Sequence, residues 1–273
     1  MRLPPGPRRL WPVVAVVATA AACDVPNFGA PDAKSEEGAS ILRLWQGFFI
    51  TALFVAALVW GLLIFVLVRY RRRRGDGDEL PSQRPYNIPL EVFYTAAPVV
   101  VVAVLFGFSV ATQEEVTGLH DDPEAVAVDV IGFQWSWQFR YRDEGVTVTG
   151  EPGEPPELVL PVGRRAHLEL TTADVNHSFW VPDFLSKRDL IPGIDNEIEV
   201  TPTETGEYVG RCAEFCGLDH WRMYYAVRVV PEDEYETWLD EHRGEGADLP
   251  VDELDEGDEG DGTGGGGVGV PSS

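Results

Sequence analysis

Residues 44–68 form a run of 25 positions without a single charged side chain. Wound as an α-helix at 1.5 Å per residue, such a run is about 37 Å long, enough to cross the ~30 Å hydrocarbon core of a bilayer with some tilt. The run stops at Arg69 and is followed by Arg71, Arg72, Arg73 and Arg74. Arginines flanking a span mark the cytoplasmic side, so the 69–88 loop is expected there. A second apolar stretch, 89–111, returns the chain, with 99–102 and 105–108 too apolar for an ordinary surface helix. The reading is a two-helix transmembrane hairpin that leaves an exported segment 23–43 and an exported domain 112–243 on the same side.

The leader agrees with export. Arg2, Arg8 and Arg9 precede an apolar stretch over 11–17 that runs into Ala20-Ala21-Ala22-Cys23. This is the arrangement of a secretory signal over 1–22. A Cys directly after small residues resembles a bacterial lipoprotein signal, which makes Cys23 a lipidation candidate anchored in membrane lipid. Ala20 stands where a larger aliphatic residue is commoner, and a plain signal or an uncleaved anchor with an incidental Cys stays open.

Charge divides along the same line. The chain carries a formal −24, yet residues 1–111 sum to +3 and residues 112–273 to −27. An acidic surface of that size repels phosphate backbones, so nucleic acid is excluded as a partner. The tail 244–273, mostly Asp, Glu and Gly without apolar periodicity, is expected to be disordered.

Between span and tail the pattern becomes β-rich. Short runs at 126–132, 134–140, 158–161, 166–171, 197–200, 208–210 and 224–230 are separated by Gly, Pro, Asp and Glu. The 166–170 run alternates as a half-buried strand should. About 120 residues suffice for one all-β sandwich or barrel. Residues 232–242 predict a short closing helix.

Two of only three cysteines sit in Cys212-Ala213-Glu214-Phe215-Cys216-Gly217-Leu218-Asp219-His220-Trp221-Arg222-Met223, with an imidazole and the only methionine besides the initiator. Thiolates, a thioether and imidazole together favour copper, whereas a structural zinc site has little use for the thioether. A structural Cys212–Cys216 disulfide is natural in an exported protein but explains neither His220 nor Met223; zinc binding or a redox disulfide at the same pair stays open. A second imidazole has to come from His120, His167, His177 or His242. His177, expected at a turn in Asp174-Val175-Asn176-His177-Ser178-Phe179-Trp180-Val181-Pro182, is the choice.

Cys-x-Glu-x-Cys-x-x-x-His-x-x-Met behind an upstream His-Ser-Phe-Trp-Val-Pro resembles the binuclear copper A site of cytochrome c oxidase subunit II, over roughly residues 40–243. The resemblance implies a cupredoxin-like sandwich holding two copper ions: Cys212 and Cys216 bridging both, His177 and His220 binding one each, Met223 as a weak ligand and Glu214 through its carbonyl. It further implies that the Glu214 carboxylate helps bind magnesium at the interface with the catalytic subunit. Gly132-Phe133-Gln134-Trp135-Ser136-Trp137 is similar to the family's aromatic segment, which assigns the arrival of electrons to Trp135, Trp137 reading better as core. The family often has His where Phe133 stands. Lys187-Arg188-Asp189-Leu190-Ile191-Pro192-Gly193 resembles the loop that packs on the catalytic subunit, and Glu91 matches the acid at the mouth of the K proton pathway.

The expected protein is therefore the electron-accepting subunit of a haem-copper oxidase in a bacterial plasma membrane. Its copper domain lies on the extracytoplasmic side, its donor is cytochrome c or a membrane-bound c-type cytochrome, and its neighbours are catalytic subunit I and other oxidase subunits. A membrane-anchored copper-delivery lipoprotein is the rival from a different class; it would need no aromatic segment and no second span.

Overall fold

A computed structural model describes residues 27–71 and 84–244. The leader with Cys23, Arg72 to Arg74 and the acidic tail past Gly244 lie outside the described residues. Two compact units emerge. Of the described residues, one takes in those up to Asp122 with Pro182–Ser186 and Glu199–Glu204; the other takes in Pro123–Val181, Lys187–Ile198 and those from Thr205 on.

The first unit holds α1 (Glu36–Arg69) and α2 (Ile88–Thr117), both long and apolar enough to cross a membrane. Caps rather than hydrophobicity set the α1 start. The Ser35 hydroxyl accepts from Gly38 N at 3.0 Å, and Glu36 and Glu37 sit in the first turn, where the helix dipole favours acid. Ser35 Oγ also donates to the Phe184 carbonyl, and Thr201 N donates to Glu37. α1 thus begins at Glu36, ahead of the uncharged run that starts at residue 44. At the α2 start, Asn87 Oδ1 accepts from Leu90 N while Glu91 Oε1 accepts from Asn87 N at 2.8 Å, a reciprocal cap. α2 continues through Pro98 and past residue 111 to Thr117.

The second unit is built on strands β1 (Val126–Phe133), β2 (Ser136–Tyr141), β3 (Val146–Thr149), β4 (Glu157–Pro161), β5 (Ala166–Thr172), β6 (His177–Val181), β7 (Ser186–Leu190), β8 (Asn196–Val200), β9 (Gly206–Cys212) and β10 (Tyr224–Val230). They form two five-stranded sheets, β3-β2-β1-β5-β8 and β4-β10-β9-β6-β7. β1 runs parallel to β5 and β4 parallel to β10, whereas β1–β2, β2–β3, β9–β10 and β6–β9 are antiparallel. The expected sandwich is present.

Aromatic side chains join the sheets. Trp137 and Phe139 of β2 meet the Tyr225 ring of β10 at 5.0 and 5.5 Å, and Tyr225 stacks on Phe179 of β6 at 5.1 Å. All four are buried, each removing a large apolar area from water. The ring of Tyr225 lies where any side chain on Gly210 would be, within 1.9 Å of its Cβ position, so β9 needs glycine there. The buried Tyr141 hydroxyl both donates to Val159 O and accepts from Val159 N. Helix α3 (Glu232–His242) occupies the stretch expected for it and buries Tyr235, Trp238 and Leu239.

Three strands, β3, β6 and β7, arise where the sequence reading placed none. His177 opens β6 instead of lying at a turn, because Phe179 and Trp180 pair with Cys212 and Arg211 of β9. Conversely, Gln134 and Trp135 form the β1–β2 turn instead of starting a strand.

Candidate metal centre

Strand pairing brings the distant histidine to the cysteines. The β6–β9 ladder sets His177 beside the end of β9, where Cys212 is the last residue. Close approach from the other sheet is permitted by Gly132 of β1, whose Cβ position is 3.1 Å from the His177 ring. The remaining donors lie on the β9–β10 connection. Cys212 N donates to Met223 O at 3.0 Å, which closes the connection at its base, and a short 3-10 turn, His220–Arg222, lifts His220 back toward the thiols.

The donor atoms converge. Cys212 Sγ lies 3.9 Å from Cys216 Sγ, 3.7 Å from His177 Nδ1 and 3.2 Å from the Glu214 carbonyl oxygen. Cys216 Sγ lies 3.5 Å from His220 Nδ1 and 3.7 Å from Met223 Sδ. His177, Met223 and Cys216 are 0, 1 and 3% exposed, so water is nearly excluded on that side, while His220 is half-buried. Cys212 and Cys216 are free thiols. Two thiols, two imidazole nitrogens, a thioether and a carbonyl gathered around the Cys212–Cys216 pair are a donor set that soft copper fits and that hard cations do not.

Burial sets the protonation of two donors in the metal-free protein. Burial, then the neighbouring Cys212 thiol, pushes Cys216 up to about 12. Burial lowers His177 below the usual imidazole range, against the opposing pull of Asp174, so the ring is kept neutral and ready to donate a lone pair. A bound cation relieves the first cost by taking the thiolates.

His177 Nε2 is held by Asp174 Oδ1 at 2.8 Å, leaving Nδ1 for the thiol side. Asp174 Oδ2 also accepts from Gln134 N at 2.7 Å. Neither Asp174 nor Gln134 stands out from sequence; the Asp three residues before a candidate histidine is the signal that could have found the first. Trp135 is half-buried and its indole N–H donates to Cys216 O at 3.1 Å, while Trp137 is core, as expected. Gly217, at φ +118°, lets the chain turn beneath this indole.

The other histidines bond elsewhere. His120 pairs with Glu199 at 2.7 Å, His167 with Glu197 at 3.4 Å, and His242 Nδ1 lies 2.7 Å from Trp238 O. The Glu214 side chain is exposed and Glu91 caps its own helix. Lys187 and Ser178 donate to Asp189 at 2.8 and 2.7 Å and hold its carboxyl below the usual carboxylate range.

Residues 155–230 match the family described as cytochrome C oxidase subunit II, periplasmic domain. The chain is 38% identical over 265 residues to the probable cytochrome c oxidase subunit 2 of Streptomyces coelicolor, covering 82% of each. It is 32% identical to cytochrome c oxidase subunit 2 of Mycobacterium tuberculosis H37Rv, covering 82% of this chain and 78% of that one. Among solved structures, the periplasmic domain of subunit II of cytochrome oxidase from Bradyrhizobium japonicum is 32% identical over 45% of this chain and 96% of its own, with a TM-score of 0.41. Relatives of this identity, aligned over most of both chains, leave one conclusion: the chain belongs to the cytochrome c oxidase subunit 2 family.

Proposed function

We propose that this chain receives electrons for a haem-copper oxidase at a two-copper centre. One observation carries the reading: the donor atoms of His177, Cys212, Cys216, His220 and Met223 follow one another at 3.5–3.9 Å around two buried thiols, in a subunit 2 relative. Cys212 and Cys216 would be shared by both ions, His177 and His220 would hold one each, Met223 would bind weakly, and Glu214 would offer its carbonyl. When bound, the copper pair supplies one-electron redox chemistry with the charge spread over shared thiolates.

The protein groups prepare that site. His177 and Met223 keep water out, Asp174 fixes the His177 ring, and Trp135 presents an indole whose N–H already rests on the carbonyl of a ligand residue. Trp135 is the residue on which reduced cytochrome c delivers its electron. The strongly acidic sequence after residue 111 favours a basic donor, since complementary charge raises encounter rates. The exposed Glu214 carboxylate is available to a magnesium ion shared with the catalytic subunit. Oxygen reduction and proton pumping belong to that subunit; this chain contributes electron transfer and, through Glu91, an acid at the cytoplasmic mouth of a proton path.

Placement follows from the sequence. The arginines after α1 keep 69–88 in the cytoplasm, both helices cross the plasma membrane, and the copper domain faces outward, with Cys23 as a lipid anchor. Copper loading of the purified chain tests the reading. Two coppers per chain with one unpaired electron shared between them is the expected result; a mononuclear copper(I) site overturns it in favour of copper delivery.

A further inference from the structure

The Cys216 carbonyl oxygen receives two donors from adjacent residues of one turn. Gln134 Nε2 donates to it at 2.7 Å and Trp135 Nε1 at 3.1 Å. The Gln134 backbone N–H is meanwhile bound to Asp174 Oδ2 at 2.7 Å, and the other oxygen of that carboxylate holds His177. Gln134 is thus tied by its main chain to the partner of one proposed ligand and by its side chain to the peptide of another. Its side chain is exposed, so burial of apolar surface gives no account of it. The space is also tight on the far side: a Cβ on Gly217 would lie 3.0 Å from Gln134 Nε2 and 3.2 Å from Trp135 Nε1, so a larger residue there would crowd both donors.

We propose that Gln134 is a positioning residue for electron arrival: its amide clamps the β1–β2 turn to the Cys216 carbonyl, and this clamp keeps the Trp135 indole hydrogen-bonded there. A half-buried indole with a single hydrogen bond can pivot about its two side-chain torsions. Gln134 removes that freedom, because it fixes the same acceptor from the neighbouring residue. Through-bond coupling between Trp135 and Cys216 depends on the hydrogen bond persisting, so Gln134 acts on the rate of electron arrival without touching the metal. The inference rests on the proposed role of Trp135, but its first readout does not need copper.

Two variants of the full-length chain test it. Gln134→Ala removes the clamp; Gln134→Glu keeps the side-chain volume, replaces the amide donor by an acceptor, and decides the matter by the same readouts if the first does not fold. In the metal-free protein, hydrogen exchange of the Trp135 indole N–H, assigned by its loss in Trp135→Phe, should quicken about tenfold, the factor that the loss of one net hydrogen bond supplies. In the copper-loaded oxidase, electron arrival from reduced cytochrome c should slow about tenfold while the copper absorption spectrum and reduction potential stay as in the parent. Unchanged indole exchange overturns the proposal, as does an unchanged arrival rate once the indole is released. A shifted spectrum or potential also overturns it, because Gln134 would then act on the ligands. Absence of a two-copper signal in the parent would instead refute the proposed function, with the indole measurement still deciding the clamp.

Discussion

Asp174 Oδ1 sits 2.8 Å from Nε2 of His177, and the opposite edge of that ring turns Nδ1 to within 3.7 Å of Cys212 Sγ. One carboxylate therefore selects which nitrogen a metal can meet. Outer hydrogen bonds of this kind fix ring tautomer and orientation, and their removal weakens binding by about 10–100-fold. Asp174→Ala should lower copper affinity by that factor in competition with a chelator, and Asp174→Asn by less. Equal affinity in all three proteins would refute the orienting role.

Copper uptake should release protons. The Cys216 thiol, pushed up to about 12 by burial and by Cys212, keeps its proton at neutral pH in the metal-free protein, whereas the ligand role proposed for it requires a thiolate. Apparent affinity must then rise with pH below that value, by about tenfold per unit for each proton displaced. Chelator competition at several pH values between about 6 and 8 measures the slope; a flat line contradicts the burial argument.

Met223→Leu separates packing from ligation. The side chain is buried and the exchange conserves volume, so unfolding free energy should change by less than about 1.5 kcal/mol. Its thioether stands 3.7 Å from Cys216 Sγ, and its loss should shift the copper absorption and the reduction potential. A variant that is stable and spectroscopically identical to the parent would remove Met223 from the ligand set.

Gly210→Ala should destabilise the sandwich without touching a donor. The new methyl would fall within 2.4 Å of three Tyr225 ring atoms, and that ring is wedged between Trp137, Phe139 and Phe179. Overpacking on this scale costs roughly 1–3 kcal/mol or more. Denaturant titration of the metal-free protein checks the figure, and an unchanged midpoint would contradict the packing described.

Gln can separate the cap that Glu91 forms from the proton-path role proposed for it. Glu91→Gln keeps an oxygen to accept from Asn87 N, so the start of α2 should survive, with unchanged helical content by circular dichroism. It cannot take up a proton, and turnover of the assembled oxidase should fall about tenfold or more. Unimpaired turnover would leave Glu91 with its capping role alone.

Both helices were legible because 25 uncharged residues admit few other fates, and the donor loop because Cys, His and Met crowd into twelve positions. Their ends were less legible: Ser35 and Thr117 bound helices whose outer turns are polar, and hydropathy is silent there. Strand β6 was hidden because Asp174, Asn176 and Ser178 read as a turn, whereas the strand rests on pairing of Phe179 and Trp180 with the distant β9. Gln134 could not be found from spacing: it meets Asp174 across 40 residues of chain, through a hydrogen bond that no local pattern encodes.

The bond from Cys212 N to Met223 O makes the two ends of the donor loop ladder neighbours. Residues 213–222 thus hang from a hairpin already closed beneath them, and lengthening or rewriting such a connection costs a sandwich little. The proposed metal site is in this sense detachable: its donors sit on one connection and at His177, while the ten strands below are held mostly by pairing and packing away from those donors.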